Sequence, residues 1–374
     1  MKPIQETGRL ILRLFFYFTF RFNFTYTDFN RKRKEPYLLI ANHTTALDAL
    51  YIGMNLIRYP YPIANAFVYT NRMLNILLTK FITSIPKRKG QSDIMTIKSI
   101  LEAFKKDKRG VMLFPEGNAS YFGAHTKVDY TSTAKLIKKL RQEVIIVKIN
   151  GGYLAYPRWG KKAKRPPYHA HYHPLLKPDQ IDKMTLEDIT SLLEESMAFN
   201  DYDWNRVKQL KFRTRHRAEG LEHYIYVCPT CGGVQTIRTK GNDVSCTTCG
   251  KLATFNVYGL LEGLPFDNLL PWDDLQKDKI PEIAKGPITS RGELFEIDFT
   301  RNRRMSKGMM EIRLADGLLT MKGKHQYDLH IDDIKGQVIT QKNFLSFDHH
   351  DQTYYIAIKD PMLFLDVINH LKGE

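Results

Sequence analysis

The chain has few cysteines, fewer acidic than basic residues, and no long uninterrupted apolar run. Four cysteines in 374 residues are too few for a scaffold stapled throughout by disulfides. With 40 Asp and Glu against 56 Lys and Arg, the formal net charge is +16. Such a surface calls for an anionic partner, either nucleic acid or an anionic membrane surface with phosphorylated substrates. A spanning helix needs ~20 apolar residues. Residues 8–29 are rich in apolar and aromatic side chains but are interrupted by Arg9, Arg13 and Arg21. No small-residue cleavage site follows them, so neither a transmembrane helix nor a signal peptide is expected there. Disorder is excluded, because 43% of the residues are hydrophobic, and the length suffices for one large domain and one or two small ones.

What the chain does have is a pair of polar turns at strand ends. The apolar run Tyr37-Leu38-Leu39-Ile40 leads into Ala41-Asn42-His43-Thr44-Thr45-Ala46-Leu47-Asp48. A buried strand followed by a polar turn and a helical pattern delivers its turn to the sheet edge, where α/β proteins place their chemistry. A carboxylate beside a histidine fixes the tautomer and stabilises the imidazolium once the ring takes a proton, so His43 with Asp48 is an elementary general base. If Thr44 or Thr45 caps the following helix, Asp48 lies in its first turn and faces back toward His43. A second apolar run, Val111-Met112-Leu113-Phe114, ends in Pro115-Glu116-Gly117-Asn118-Ala119-Ser120. Two such turns at one sheet edge would make a site. Strands are expected at 37–41, 64–69, 85–89, 110–114 and 144–149, and helices at 46–56, 72–81, 93–106 and 132–140. This alternation predicts an α/β layer architecture.

Taken in order, these blocks resemble the glycerolipid acyltransferases of the lysophosphatidic acid acyltransferase (PlsC-like) type over residues 35–205. Asn42-His43 with Asp48, Ile85-Pro86-Lys87-Arg88, Phe114-Pro115-Glu116-Gly117 with Ser120, and Val144-Ile145-Ile146-Val147 follow that family's four blocks. The resemblance implies that His43 takes the acceptor proton and Asp48 orients it. It places Arg88 in the acceptor pocket, gives Glu116 and Gly117 an acceptor-positioning role, and makes the Ser120 hydroxyl a further polar contact. It also implies an acyl-CoA or acyl carrier protein donor, a lysophospholipid acceptor such as 1-acyl-glycerol-3-phosphate, and no catalytic cofactor. The chain departs from the family's common form at Ala119, where arginine is usual, and the fourth block lacks its frequent proline, leaving Lys148 as a substitute cation.

Residues 1–34 are expected to form a membrane-interface segment. Aromatic rings suit headgroup depth, and Arg31-Lys32-Arg33-Lys34 would gain up to ~1 kcal/mol each from anionic lipid. The chain would then sit peripherally on the cytoplasmic face of a membrane. The alternative is a helix and edge strand packed on the protein's own core. Tyr168-His169-Ala170-His171-Tyr172-His173 sets three histidines on one strand face, which reads either as a metal site or as a solvated edge. Thr185 to Phe199 reads as an amphipathic helix capped by Thr185, with Leu186, Ile189, Leu192, Leu193 and Met197 inward.

Beyond a basic linker at 206–223, helical over Arg206 to Arg217, Cys228, Cys231, Cys246 and Cys249 form CxxC-x14-CxxC. That spacing suits tetrahedral thiolate ligation of a structural Zn²⁺ in a zinc ribbon at 224–258. The competing reading is two disulfides, which would need an oxidising compartment. After a linker at 259–288, residues 289–374 predict seven short strands and a closing helix, a pattern that resembles the pleckstrin-homology type of small barrel. Two other functions fit parts of the chain. A basic zinc-ribbon nucleic-acid-binding protein would account for charge and cysteines but leaves the strand-end blocks as coincidences. A non-catalytic lipid-binding scaffold is opposed by the intact His43, Asp48 and Glu116. The acyltransferase reading expects no nucleic acid among the partners.

Overall fold

The computed structural model describes residues 3–87, 94–126, 128–299 and 301–373. The chain divides into two compact units, residues 1–157 with 162–213, and residues 158–161 with 214–374.

In the first unit, helix α1 (Pro3–Thr19) and strand β1 (Arg21–Tyr26) precede the central strand β2 (Leu38–Ala41) and helix α2 (Asp48–Met54). Then come β3 (Tyr61–Asn65), α3 (Arg72–Ile76), β4 (Ile85–Lys87), α4 (Ile94–Lys105), β5 (Val111–Leu113), α5 (Thr131–Leu140) and β6 (Val144–Asn150). The short α6 (Gly152–Ala155), β7 (Pro167–Leu176), α7 (Pro178–Lys183), α8 (Leu186–Met197) and α9 (Asp201–Lys208) complete it. The strands form one sheet in the order β1-β7-β6-β2-β5-β3-β4. Its pairings are parallel except β6 with β7. All four residues of β2 are buried, as expected of a strand covered on both faces. One core cluster joins Leu38, Ile40, Val111, Val144 and Ile146 of the sheet to Phe104 of α4, Ile137 of α5 and Leu193 of α8.

Several expected elements are shifted. The strand expected at 64–69 is β3 over 61–65 followed by a 3₁₀ turn at Ala66–Thr70, because the Asn65 side chain accepts the Phe67 N–H and turns the chain. The helix expected at 72–81 is α3 followed by a wider π turn at Leu77–Ile82, which ends at Thr83 in the left-handed region. Helix α8 has the predicted Thr185 cap, completed to a capping box, Thr185 accepting from Asp188 N–H while the Asp188 carboxylate accepts from Thr185 N–H. The helix expected over 206–217 stops at Lys208, where Gln209 turns left-handed and Phe212 is buried. The histidine face of β7 is not a sheet edge, since β1 and β6 flank it. His169 bonds Asn23 and His171 bonds Thr25 across the β1 pairing. Among the described residues these histidines join no metal-competent group.

At the N-terminus the elements differ in how far they are packed. Strand β1 is part of the sheet, and Phe22 packs against Tyr51 and Tyr168. Helix α1 leaves Leu10, Ile11, Leu14, Phe15, Tyr17 and Phe18 exposed. Among the described residues no helix is long and apolar enough to cross a membrane.

The second unit holds a small sheet of β8 (Ile237–Lys240), β9 (Asp243–Cys246), β10 (Gly250–Phe255) and β11 (Leu261–Glu262), in the order β11-β10-β9-β8. Residues 259–288, read from sequence as a linker, contain helix α10 (Leu270–Ile283). Its Trp272 is fully buried and donates its indole N–H to the Val227 carbonyl at 2.8 Å. The strands β12 (Ile288–Asp298), β13 (Arg303–Ala315), β14 (Leu318–Lys322), β15 (Gln326–His330), β16 (Ile334–Thr340), β17 (Phe344–His349) and β18 (Gln352–Ile358) follow, with helix α11 (Pro361–Lys372) last. The seven expected strands and the final helix are present, in the order β15-β14-β13-β12-β18-β17-β16.

Candidate functional site

Strand β2 runs parallel to both β5 and β6, so the turns after all three leave the sheet at the same edge. Asn42 locks the β2 turn to β6, donating its side-chain amide to the Ile149 carbonyl at 2.9 Å and accepting the Ile149 N–H at 2.7 Å. The β2 and β5 turns are tied in the same way. Ser120 N–H donates to the His43 carbonyl at 2.8 Å, and His43 N–H donates to Glu116 Oε2 at 2.7 Å. Gly117 N–H closes a turn onto the Phe114 carbonyl, with Pro115 second in the turn and Gly117 at φ +69°. A Cβ at Gly117 would meet no neighbour, so glycine is required there by the backbone alone.

His43 Nδ1 lies 2.9 Å from Asp48 Oδ2. An ionised carboxylate only accepts, so Nδ1 carries the proton and Nε2 keeps its lone pair. Asp48 is fully buried and is held by four more donors. Its carboxylate accepts Thr44 N–H at 2.6 Å, Thr45 N–H at 2.8 Å, the Thr44 hydroxyl at 3.1 Å and the Tyr168 hydroxyl at 2.9 Å. Burial and the adjacent Asp48 charge push the Tyr168 phenol well above its ordinary range, so it stays a donor. Of the two threonines expected as caps, Thr45 accepts the Leu47 N–H on its hydroxyl at 3.3 Å, just ahead of helix α2, while the Thr44 hydroxyl and both threonine amides turn onto Asp48. The His43 side chain retains 17% exposure, and its ring lies 4.4 Å from that of Phe114, centroid to centroid. The arrangement is a partly exposed imidazole on a rigid buried anion, the geometry of a general base.

Gly152 at the start of α6 presses on this support. A Cβ there would lie 2.0 Å from Thr44 Oγ1 and 3.1 Å from Tyr168 Cε2, two groups that hold Asp48. Gly152→Ala should destabilise the fold by ~1–3 kcal/mol through overpacking and should lower turnover as well. Denaturant titration and a rate assay on the same preparation check both.

The other sequence-selected residues fall out differently. Ser120 spends its hydroxyl within its own loop, donating to the Ala124 carbonyl and accepting Gly123 N–H. Lys148 donates to the Ser196 and Ala198 carbonyls at the end of α8, and desolvation lowers its pKa. Arg88 lies outside the described residues. Burial raises the pKa of Glu116. Its Oε1 has no hydrogen-bond partner among the described residues and lies 3.8 Å from Nδ1 of His125. Sequence reading missed Tyr168 and His125, and it gave Thr44 a capping role in place of its bonds to Asp48. Tyr168 could have been found from the period of two in β7, which turns its tyrosines to the face opposite the histidines. His125 carried no local signal.

In the second unit, the four cysteines converge, Cys228 with Cys249 and Cys231 with Cys246 each at 3.9 Å between sulfurs. Four thiolates at ~2.3 Å from a tetrahedral zinc would stand about 3.8 Å apart, whereas a disulfide needs ~2.05 Å. Gly232 and Gly250, one after each knuckle, take positive φ and let the chain fold back behind the sulfurs. The residues present therefore fit a tetrahedral ion with no coordination position left open.

Residues 23–150 match the family model described as Acyltransferase. The chain is also similar to the crystal structure of the 1-acyl-sn-glycerophosphate (LPA) acyltransferase PlsC from Thermotoga maritima, at 18% sequence identity. That match covers 53% of this chain and 80% of the other, with a TM-score of 0.36. No curated protein matches.

Proposed function

We propose that this chain, which carries an acyltransferase domain at residues 23–150, moves a fatty acyl group from acyl-CoA or acyl carrier protein to a hydroxyl of a glycerophospholipid precursor such as 1-acyl-glycerol-3-phosphate. The observation that carries this reading is the His43–Asp48 pair at 2.9 Å. Nε2 of His43 removes the acceptor proton as the oxygen attacks the thioester carbonyl, Asp48 stabilises the imidazolium, and the C–S bond breaks with the proton passing to the leaving thiolate. No covalent enzyme intermediate is required, since the four cysteines of the chain all lie in the second unit. Glu116 and Gly117 shape the acceptor side, Ser120 braces the loop, and Arg88 grips the acceptor phosphate. An apolar cavity lined by Phe16, Phe22, Phe24, Tyr51 and Met54, with Arg13 and Asn55 also in its wall, supplies surface for acyl carbon. A nucleic-acid-binding reading gives the His43 support no role.

The test is a steady-state assay with each substrate varied in turn. The wild type should transfer acyl groups, and Arg88→Ala should raise the acceptor KM far more than the donor KM, because a lost phosphate contact weakens that substrate alone. Equal effects on both substrates would remove Arg88 from the acceptor pocket, and absence of transfer to any lysophospholipid would overturn the function.

Residues 35–205 then form the catalytic domain and 224–258 a zinc ribbon. The strand order and final helix of 289–374 support a pleckstrin-homology-type module. Helix α1 lies in the interface of an anionic membrane, peripheral on the cytoplasmic face. Since β1 packs beside Tyr168, deleting residues 1–29 would damage the site itself, and substitution on α1 separates docking from chemistry. Leu14→Ser with Phe15→Ser and Phe18→Ser should weaken sedimentation with anionic vesicles by about tenfold or more. Turnover of a soluble short-chain acceptor should be kept. Undiminished binding would move membrane attachment elsewhere in the chain.

A further inference from the structure

The second unit contains another cluster of ligand-competent side chains, remote in sequence from the cysteines. Strands β16 and β17 pair antiparallel with Ile334 opposite His349. That register sets Asp333, just before β16, across from His350 in the two-residue connection between β17 and β18. One ligand atom from each of Asp333, His349 and His350 lies within 4.8 Å of the others. The two imidazole centroids are 4.2 Å apart. His350 holds this position at φ +52°, a conformation that Gly or Asn would adopt more cheaply. The two exposed members, Asp333 and His350, and the half-buried His349 leave the cluster open to an ion from solvent.

From this juxtaposition we propose that Asp333, His349 and His350 form a second divalent metal site, at the tip of the β17–β18 hairpin. Two imidazoles and one carboxylate suit Zn²⁺ and exclude the all-oxygen preference of Mg²⁺ and Ca²⁺. Three protein ligands leave a fourth position for water. The ion would staple the hairpin tip to the turn that enters β16.

The test uses the full chain, washed with a weak chelating resin so that only tightly held metal remains, and titrated calorimetrically with zinc chloride. One further ion per chain should bind in the micromolar range. His349→Ala with His350→Ala should weaken that event at least about tenfold, leaving the thiolate-bound ion in place, while His325→Ala should change nothing. Titration with Co²⁺ identifies the site independently, since ligation by cysteine gives intense thiolate charge-transfer absorption and an imidazole and carboxylate site gives only weak ligand-field bands. Should the double variant lose its circular dichroism, Asp333→Asn, which preserves shape, decides in the same assay. No further equivalent below millimolar zinc, or an equivalent unchanged in these variants, overturns the proposal.

Discussion

His43→Ala should lower acyl transfer by about 10²–10⁴-fold, the usual cost of losing a general base, and should leave the melting temperature almost unchanged. The asymmetry follows from the surroundings of the pair. The imidazole keeps part of its surface in water, and apart from its Nδ1 bond to Asp48, which keeps four other donors, the described bonds that fix the turn run through backbone groups of residue 43, His43 N–H to Glu116 and the His43 carbonyl from Ser120. Alanine preserves both. Asp48→Ala should behave differently, because it strips the acceptor from Thr44, Thr45 and Tyr168 in a fully buried setting, at ~1–3 kcal/mol for each donor left unsatisfied. That variant should lose stability along with turnover. Parallel rate and melting measurements on the two variants separate chemistry from scaffold. Retention of more than about a tenth of wild-type transfer by His43→Ala would end the general-base assignment.

The parts of this fold legible in the sequence are those whose signal is local. A buried four-residue strand followed by a polar turn is written within residues 37–48, and the same pattern within 111–120, so both strand ends were placed before any tertiary information. The partners of Asp48 were not legible to the same degree. Thr44 and Thr45 both fit a helix cap by type and position, yet the Thr44 amide and hydroxyl serve a carboxylate four residues on, a competition that Thr and Asp offer the backbone. Tyr168 acts from 120 residues away, and only the pairing of β7 with β6 and β1 turns it toward Asp48. Helix α10 was hidden for another reason. Pro281 reads as a breaker, and the buried face includes Asp273 and Gln276, which no hydrophobic period reveals. Gln276 is inward because its amide accepts Tyr226 N–H and donates to the Tyr224 carbonyl, satisfying backbone that the sheet leaves unpaired.

Removing metal from the four cysteines should have the second large effect, on the second unit. Elemental analysis of resin-washed protein should find about one zinc per chain, and the thiols should resist alkylation until a strong chelator is added. The sheet around the site is small, with β9 and β10 each ending or starting at a ligand knuckle, Cys246 opposite Gly250. Two of the four cysteines are buried, so an apo site would leave thiols facing each other at 3.9 Å without the bonds that justify their burial. Binding energy of a structural zinc is folding energy, worth ~10–16 kcal/mol in isolated finger peptides. Chelation should therefore melt β8 to β10 rather than loosen them, seen as loss of amide exchange protection in residues 237–255 and release of four reactive thiols per chain. Cys231→Ser with Cys249→Ser should reproduce the loss without chelator, since serine at an exposed knuckle position removes the ligand and little else. Zinc-free protein that keeps its exchange protection would show that the sheet stands on its own packing. Two intact disulfides in place of metal would overturn the tetrahedral assignment outright.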